Sequence, residues 1–200
     1  MTTSWQDSLP ERKVRSVQLA TALYSLSRFY AEAPNREVLA RFADPAMAQT
    51  WPLRDPVSLA AIAEIADGHE SVYALNAEFA ALIGPSGSLR LTESEFTGED
   101  PLQLVEVLAQ QYREAGYASQ KTQSYPRDHV AVELGFLAHL IVASGEDERV
   151  RRFLREHLDR YVVELLDELE AHARTATYRG VVHLTRAALT RVKELTGDYE

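Results

Sequence analysis

In the stretch SYPRDHVAVELGFL, residues 124–137, an acid and an imidazole stand side by side, Asp128 and His129, just behind Pro126 and ahead of an otherwise apolar run. A carboxylate beside an imidazole can pass a proton, help hold a cation, or grip a polar segment of another chain. Metal binding would use His129 and Glu133, which are spaced i, i+4, but a structural or catalytic metal site needs further donors. No HExxH and no ExxH pair of the di-iron type occurs, and His69, His139, His157, His172 and His183 share no ligand spacing. Nucleophilic and phosphate chemistry have no better support. There is no cysteine, GxSxG, P-loop or GxGxxG, and GPSG at 84–87 lacks the lysine of a phosphate loop. The sequence therefore predicts no enzyme, no metal and no cofactor.

At about 100° per residue, His129, Glu133, Phe136 and Leu140 share one stripe of the helix that starts here, and Val130, Leu134, Leu137 and Ile141 share another. A helix apolar on most of its circumference belongs at the centre of a bundle, so its polar groups need a reason to be there. Pro126 suits a first turn, and Asp128 suits the positive end of the helix, where a carboxylate accepts from unpaired backbone donors. His129 is less easily placed, because that end disfavours an imidazolium. Two readings stay open for it: a neutral ring packed in the core with one hydrogen bond, or part of a recognition site. In the second, the helix mouth offers a carboxylate, a ring and free N–H groups to a partner segment.

The elements around this helix are helical too. Ser8 and Glu11 have capping-box spacing, and Leu19, Leu23, Leu26 and Tyr30 make one buried stripe of a helix expected to end near Ala33, before Pro34. A short helix is expected over 35–42, another from Pro56 to about Ile65 behind the cap Asp55, and a third over 71–84, closed by Gly84 and Pro85. Asp100 and Pro101 open a helix to Gly116. Beyond the central helix and Gly145, an amphipathic region from Glu146 to about His172 is broken near Asp159, and a last helix covers about Tyr178 to Leu195, stopped by Gly197.

Between Gly84 and Asp100 the chain is least helical. ESEFTGED carries Glu93, Glu95, Glu99 and Asp100 without a lysine or arginine, which reads as a solvated loop or a binding loop. Nothing reads as a strand pair, and LRL at 89–91 is too short to count. The predicted fold is a single all-α domain, a bundle of roughly eight or nine helices, with subdomains of about 1–84 and 101–200 and a candidate hinge at 85–100. Candidate residues of the hinge and acidic loop are Gly84, at its border, Pro85, Glu93, Glu95 and Phe96.

Composition narrows the partners. With 21 Lys and Arg against 30 Asp and Glu the net charge is −9, which repels nucleic acid and anionic lipid, and 46% hydrophobic residues suffice for a full core. The opening residues hold no secretory h-region, no run approaches a membrane span, and the absence of cysteine fits a reducing compartment, so a soluble cytoplasmic protein is expected.

Three segments resemble the TorD family, cytoplasmic chaperones that assist maturation of molybdenum-containing oxidoreductases. YPRDHVAVELGFL is similar to that family's P-x-D-H-x-x-x-E-(L/M)-x-F signature at Pro126, Asp128, His129, Glu133, Leu134 and Phe136. LNAEFAALIGPSGSLRLTESEF, 75–96, resembles its helix end, loop and E-S-x-(Y/F) turn, and FLREHLDRYVVELLDEL, 153–169, its FL-x-x-HL segment. Ahead of Glu93 this chain has Arg90, Leu91 and Thr92 where the family usually has prolines. The resemblance implies an all-helical protein without catalysis of its own. It implies binding of a client's twin-arginine signal peptide, of its apo catalytic-subunit precursor, or of both, with export withheld until molybdopterin is inserted. It places peptide binding at Asp128 and His129, with Pro126 shaping the helix mouth and Tyr125, Glu133 and Phe136 as signature positions. A monomer and a domain-swapped homodimer both fit, and a helical small-molecule-binding or regulatory protein is the alternative, ahead of a metal-dependent enzyme.

Overall fold

The computed structural model describes residues 9–44, 49–118, 124–143 and 147–197. Those residues form α1 (Leu9–Phe29), α2 (Arg36–Ala43), α3 (Pro56–Asp67), α4 (Val72–Leu82), α5 (Glu93–Thr97), α6 (Pro101–Glu114), α7 (Val130–Ala143), α8 (Asp147–Glu156), a 3-10 turn (Leu158–Arg160), α9 (Val162–His172) and α10 (Ala176–Thr196). The fold is all-α, and no strand forms among the described residues.

Local chemistry sets most boundaries. Asn35, Asp55, Ser71, Asp100 and Thr175 each accept from an amide in the first turn of the helix that follows, and Pro56 and Pro101 occupy first-turn positions where a missing N–H costs nothing. The expected caps at Asp55 and Asp100 are therefore present, whereas the Ser8 cap and Gly145 lie outside the described residues. The chain leaves the helical path of α1 at Tyr30, a few residues before the expected end, because the Arg28 carbonyl accepts from both Ala31 and Glu32 amides and closes a tight turn ahead of Pro34.

α7 is the axis of the bundle, with eleven of its fourteen residues buried. α1 lies along it, packing with Leu19, Leu23, Leu26 and the small Ala22. α10 packs on α3 and α1, and it comes close to α3 at Gly180. A methyl group there would stand 2.7 Å from Ile65 Cδ1 and 3.2 Å from the Ala61 carbonyl oxygen. The apolar core is a single cluster that takes residues from both sides of 85–100, from Leu75 and Leu82 as well as Leu134 and Leu165.

The segment predicted to be least helical carries the short helix α5. Its start is a capping box, with Glu95 reaching back to the Leu91 and Thr92 amides and the Thr92 hydroxyl, and its end is Gly98 at φ 70°, where a side chain would be strained. Upstream, Gly84 is buried at the end of α4 and Pro85 is exposed. The chain then doubles back, with Ser88 and Leu89 amides bonding to the Ala81 and Leu82 carbonyls. Gly84 and Pro85 thus shape this return, while Glu93, Glu95 and Phe96 belong to the strap that follows it, residues 88–99.

Candidate functional site

The strap meets the start of α7 backbone to backbone. The Glu93 amide donates to the Asp128 carbonyl at 2.8 Å and the Val130 amide to the Leu91 carbonyl at 2.9 Å, an isolated antiparallel bridge centred on Thr92 and His129. Side chains complete the join. Asp128 is 1% exposed, and its Oδ2 accepts from the Ser94 hydroxyl at 2.6 Å and from the Ser94 amide at 3.3 Å. The carboxylate expected to serve the amino end of its own helix therefore serves that of α5.

His129 takes over at α7. Its carbonyl accepts from the Val132 and Glu133 amides, and its Nδ1 accepts from the Ala131 amide at 3.2 Å. With Val130 bonded to Leu91, the first amides of α7 are all engaged by the chain itself. The helix mouth is consequently closed, and the free N–H groups expected there are absent; the short approach of the strap has consumed them. Pro126 lies in the turn before α7, not in its first helical turn, and its carbonyl accepts from the His129 amide. The His129 ring is buried and packs at a tilt of 36° against Tyr125, at 4.6 Å between centroids. Burial lowers its pKa to about 4, against a weaker opposing pull from the Glu95 carboxylate. A neutral ring with one accepted hydrogen bond is what the structure contains.

Beneath this join sits a knot of buried polar groups. Glu93, 0% exposed, accepts from His157 Nδ1 at 2.8 Å through Oε2 and from Arg160 at 2.8 Å through Oε1. The other nitrogen of His157 faces Gln111 Nε2 at 3.1 Å, so a Gln111 donor fixes the tautomer that carries its proton on Nδ1. Glu133, also fully buried, accepts from the Tyr161 hydroxyl at 3.0 Å through Oε2, while Oε1 receives no donor. Burial pushes the Glu133 carboxyl well above the ordinary carboxylate range, and the neighbouring Glu93 and Asp128 charges push it further. The protonated form of Glu133 is thereby favoured. Phe136, 2% exposed, closes the apolar side against Tyr112 at 4.4 Å and Phe153 at 4.8 Å.

The acidic stretch is therefore mostly engaged within the chain. Glu93 is a buried hub, Glu95 caps α5, Glu99 pairs with Arg160 at 2.6 Å and Asp100 caps α6. Among the described residues no group of three or more His, Asp or Glu side chains is placed to hold a metal.

One open feature adjoins the join. Tyr125 donates its hydroxyl to the Ala31 carbonyl, pinning the turn after α1, and that turn is one lip of a groove of about 320 Å³ between α1, α2 and residues 50–52. Phe29, Val38, Trp51 and Ile62 supply apolar walls, with Arg28 and Glu32, bonded to each other at 2.6 Å, among its polar lining. A larger hollow of about 1120 Å³ between α1 and α10 is more polar, and Arg12 and Arg191 there pair with Asp147 and Glu194.

The structure brings Asp128, His129, Glu133, Glu93 and Phe136 together, and places Gly84, Pro85 and exposed Pro126 outside the knot. Sequence reasoning missed His157, Arg160, Ser94 and Tyr161. A signal for His157 existed, in the FL-x-x-HL segment, but nothing tied it to Glu93.

Residues 49–167 match the family model described as nitrate reductase delta subunit, a span that contains the strap, the start of α7 and the whole knot. Over 84 residues, 41% of this chain, the sequence is 33% identical to the chaperone protein TorD of Photobacterium profundum. The aligned part spans 38% of that relative. No helix of the described residues is long and apolar enough to cross a membrane.

Proposed function

The chain belongs to the TorD-like nitrate reductase delta subunit family, and on that premise we propose that it is a client-specific chaperone. It holds the precursor of a molybdopterin-dependent oxidoreductase, by its twin-arginine leader, through its apo catalytic subunit or through both. Cofactor insertion is assisted and export is delayed while the precursor is held, and the chaperone itself turns nothing over. The work is done in the cytoplasm.

One observation carries this reading. The three segments that resemble the TorD family, around Glu93, Asp128 and His157, are far apart in the chain yet meet in a single buried knot. Residues kept for catalysis would be open to a substrate; these are closed and hold two segments of backbone in register. Asp128 and His129 accordingly frame the client site rather than present their side chains to it. Tyr125 extends the frame to the lip of the groove between α1 and α2, through its bond to the Ala31 carbonyl. That apolar groove suits the hydrophobic stretch of a leader peptide, docked as a helix or an extended segment.

Calorimetric titration with the client's leader tests the proposal. The wild-type chain binds, and Asp128→Ala or His129→Ala weakens binding about tenfold or more with the helical signal retained, since each frees a join worth about 1–3 kcal/mol. Unchanged affinity in both variants would remove these residues from the site, and no binding by the wild type would remove leader recognition.

A further inference from the structure

Two arginines of the chain join the strap to the 3-10 turn and α9 through carboxylate clamps. The Arg160 guanidinium forks onto Glu99, at 2.6 Å and 3.2 Å, and reaches buried Glu93 at 2.8 Å. Arg90 lies 4.0 Å over the ring of Phe96 and pairs with Glu164 at 2.7 Å and with Glu168. The clamps are neighbours, because the Phe96 ring that carries Arg90 also packs on Tyr161, next in sequence to Arg160, at 5.4 Å between centroids. Both side chains keep about a third of their surface in solvent, 34% for Arg160 and 37% for Arg90.

Beneath them lie the buried acidic side chains of Glu93 and Asp128. Planar forks with an aromatic face suit guanidinium and not the compact ammonium of lysine. Resting on the leader-binding reading above, we propose that Glu93 with Glu99, and Glu164 with Glu168 and Phe96, are two guanidinium seats. In the free protein its own Arg160 and Arg90 occupy them, and the paired arginines of a client leader take them in exchange.

Such an exchange has a definite consequence. Replacing one guanidinium by another gains little affinity, so the seats select arginine over lysine while the apolar stretch supplies most of the binding. The chain's own arginines act as competitors, and removing one that is partly exposed strengthens the leader's hold instead of weakening it.

The test is calorimetry of the full chain with a synthetic leader carrying Arg-Arg ahead of an apolar stretch, and with its Lys-Lys counterpart. Wild type, Arg90→Gln, Arg90→Lys and the double variant Glu164→Gln/Glu168→Gln are compared after checking each for an unchanged melting transition. Arg90→Gln is expected to bind the Arg-Arg peptide about two- to fivefold more tightly, the range of an exposed ion pair. Arg90→Lys falls between it and wild type, and the double carboxylate variant binds about tenfold more weakly. The Lys-Lys peptide gains nothing from Arg90→Gln. If the Arg-Arg peptide binds wild type but Arg90→Gln binds equally or less well, the exchange is wrong while leader recognition stands. If neither peptide binds any variant, leader recognition falls and the exchange falls with it.

Discussion

His129 is buried as a neutral ring, and that ties stability to pH with a definite sign. Its pKa is about 4 in the folded protein against an ordinary 6.5, so between those values the unfolded chain takes up a proton that the folded chain refuses. Stability from this residue is present in full above about pH 6.5 and is lost as the pH falls towards 4, by a total of about 3 kcal/mol. Urea unfolding of His129→Gln across that range is expected to show an acid slope flatter by that amount; an identical slope would mean that the ring titrates normally. The oddity of Asp128 and His129 is legible in the sequence, since an acid and an imidazole ahead of a greasy helix invite a question. Their partners are not. Ser94 lies 34 residues from Asp128, and Arg160 lies 67 from Glu93. ESEFTGED contains no cation of its own, so Glu93 reads as solvated when it is a fully buried hub.

Among the elements, caps and stops are local chemistry and can be read without a structure. Asp55 with Pro56, Asp100 with Pro101, and the break at Asp159, where the 3-10 turn falls, all stand where spacing puts them. α5 escapes such a reading because five residues are too few to show a period. It exists because a capping box and the Asp128 carboxylate satisfy its first amides from both sides. The approach of α10 to α3 is equally hidden, since a glycine inside a helix reads only as a weak position. There Gly180→Ala is expected to cost about 1–3 kcal/mol in chemical denaturation, because the added methyl meets Ile65 and the Ala61 carbonyl. A variant as stable as wild type would show that the two helices part without penalty.

At the level of the whole molecule, the all-α class and the place of α7 at the centre follow from periodicity and from an apolar fraction of 46%. What the sequence alone leaves hidden is that its three most distinctive segments are one object. On the proposed function, the chain holds the strap and the start of α7 in register and offers the surfaces beside them to a client. Hydrogen–deuterium exchange of the full chain, with and without the client's leader, tests that claim most directly. Slowed exchange is expected at the strap, residues 88–99, and at the turn after α1, with α10 unchanged in its core. Protection confined to α10, or none anywhere at saturating leader, would contradict it.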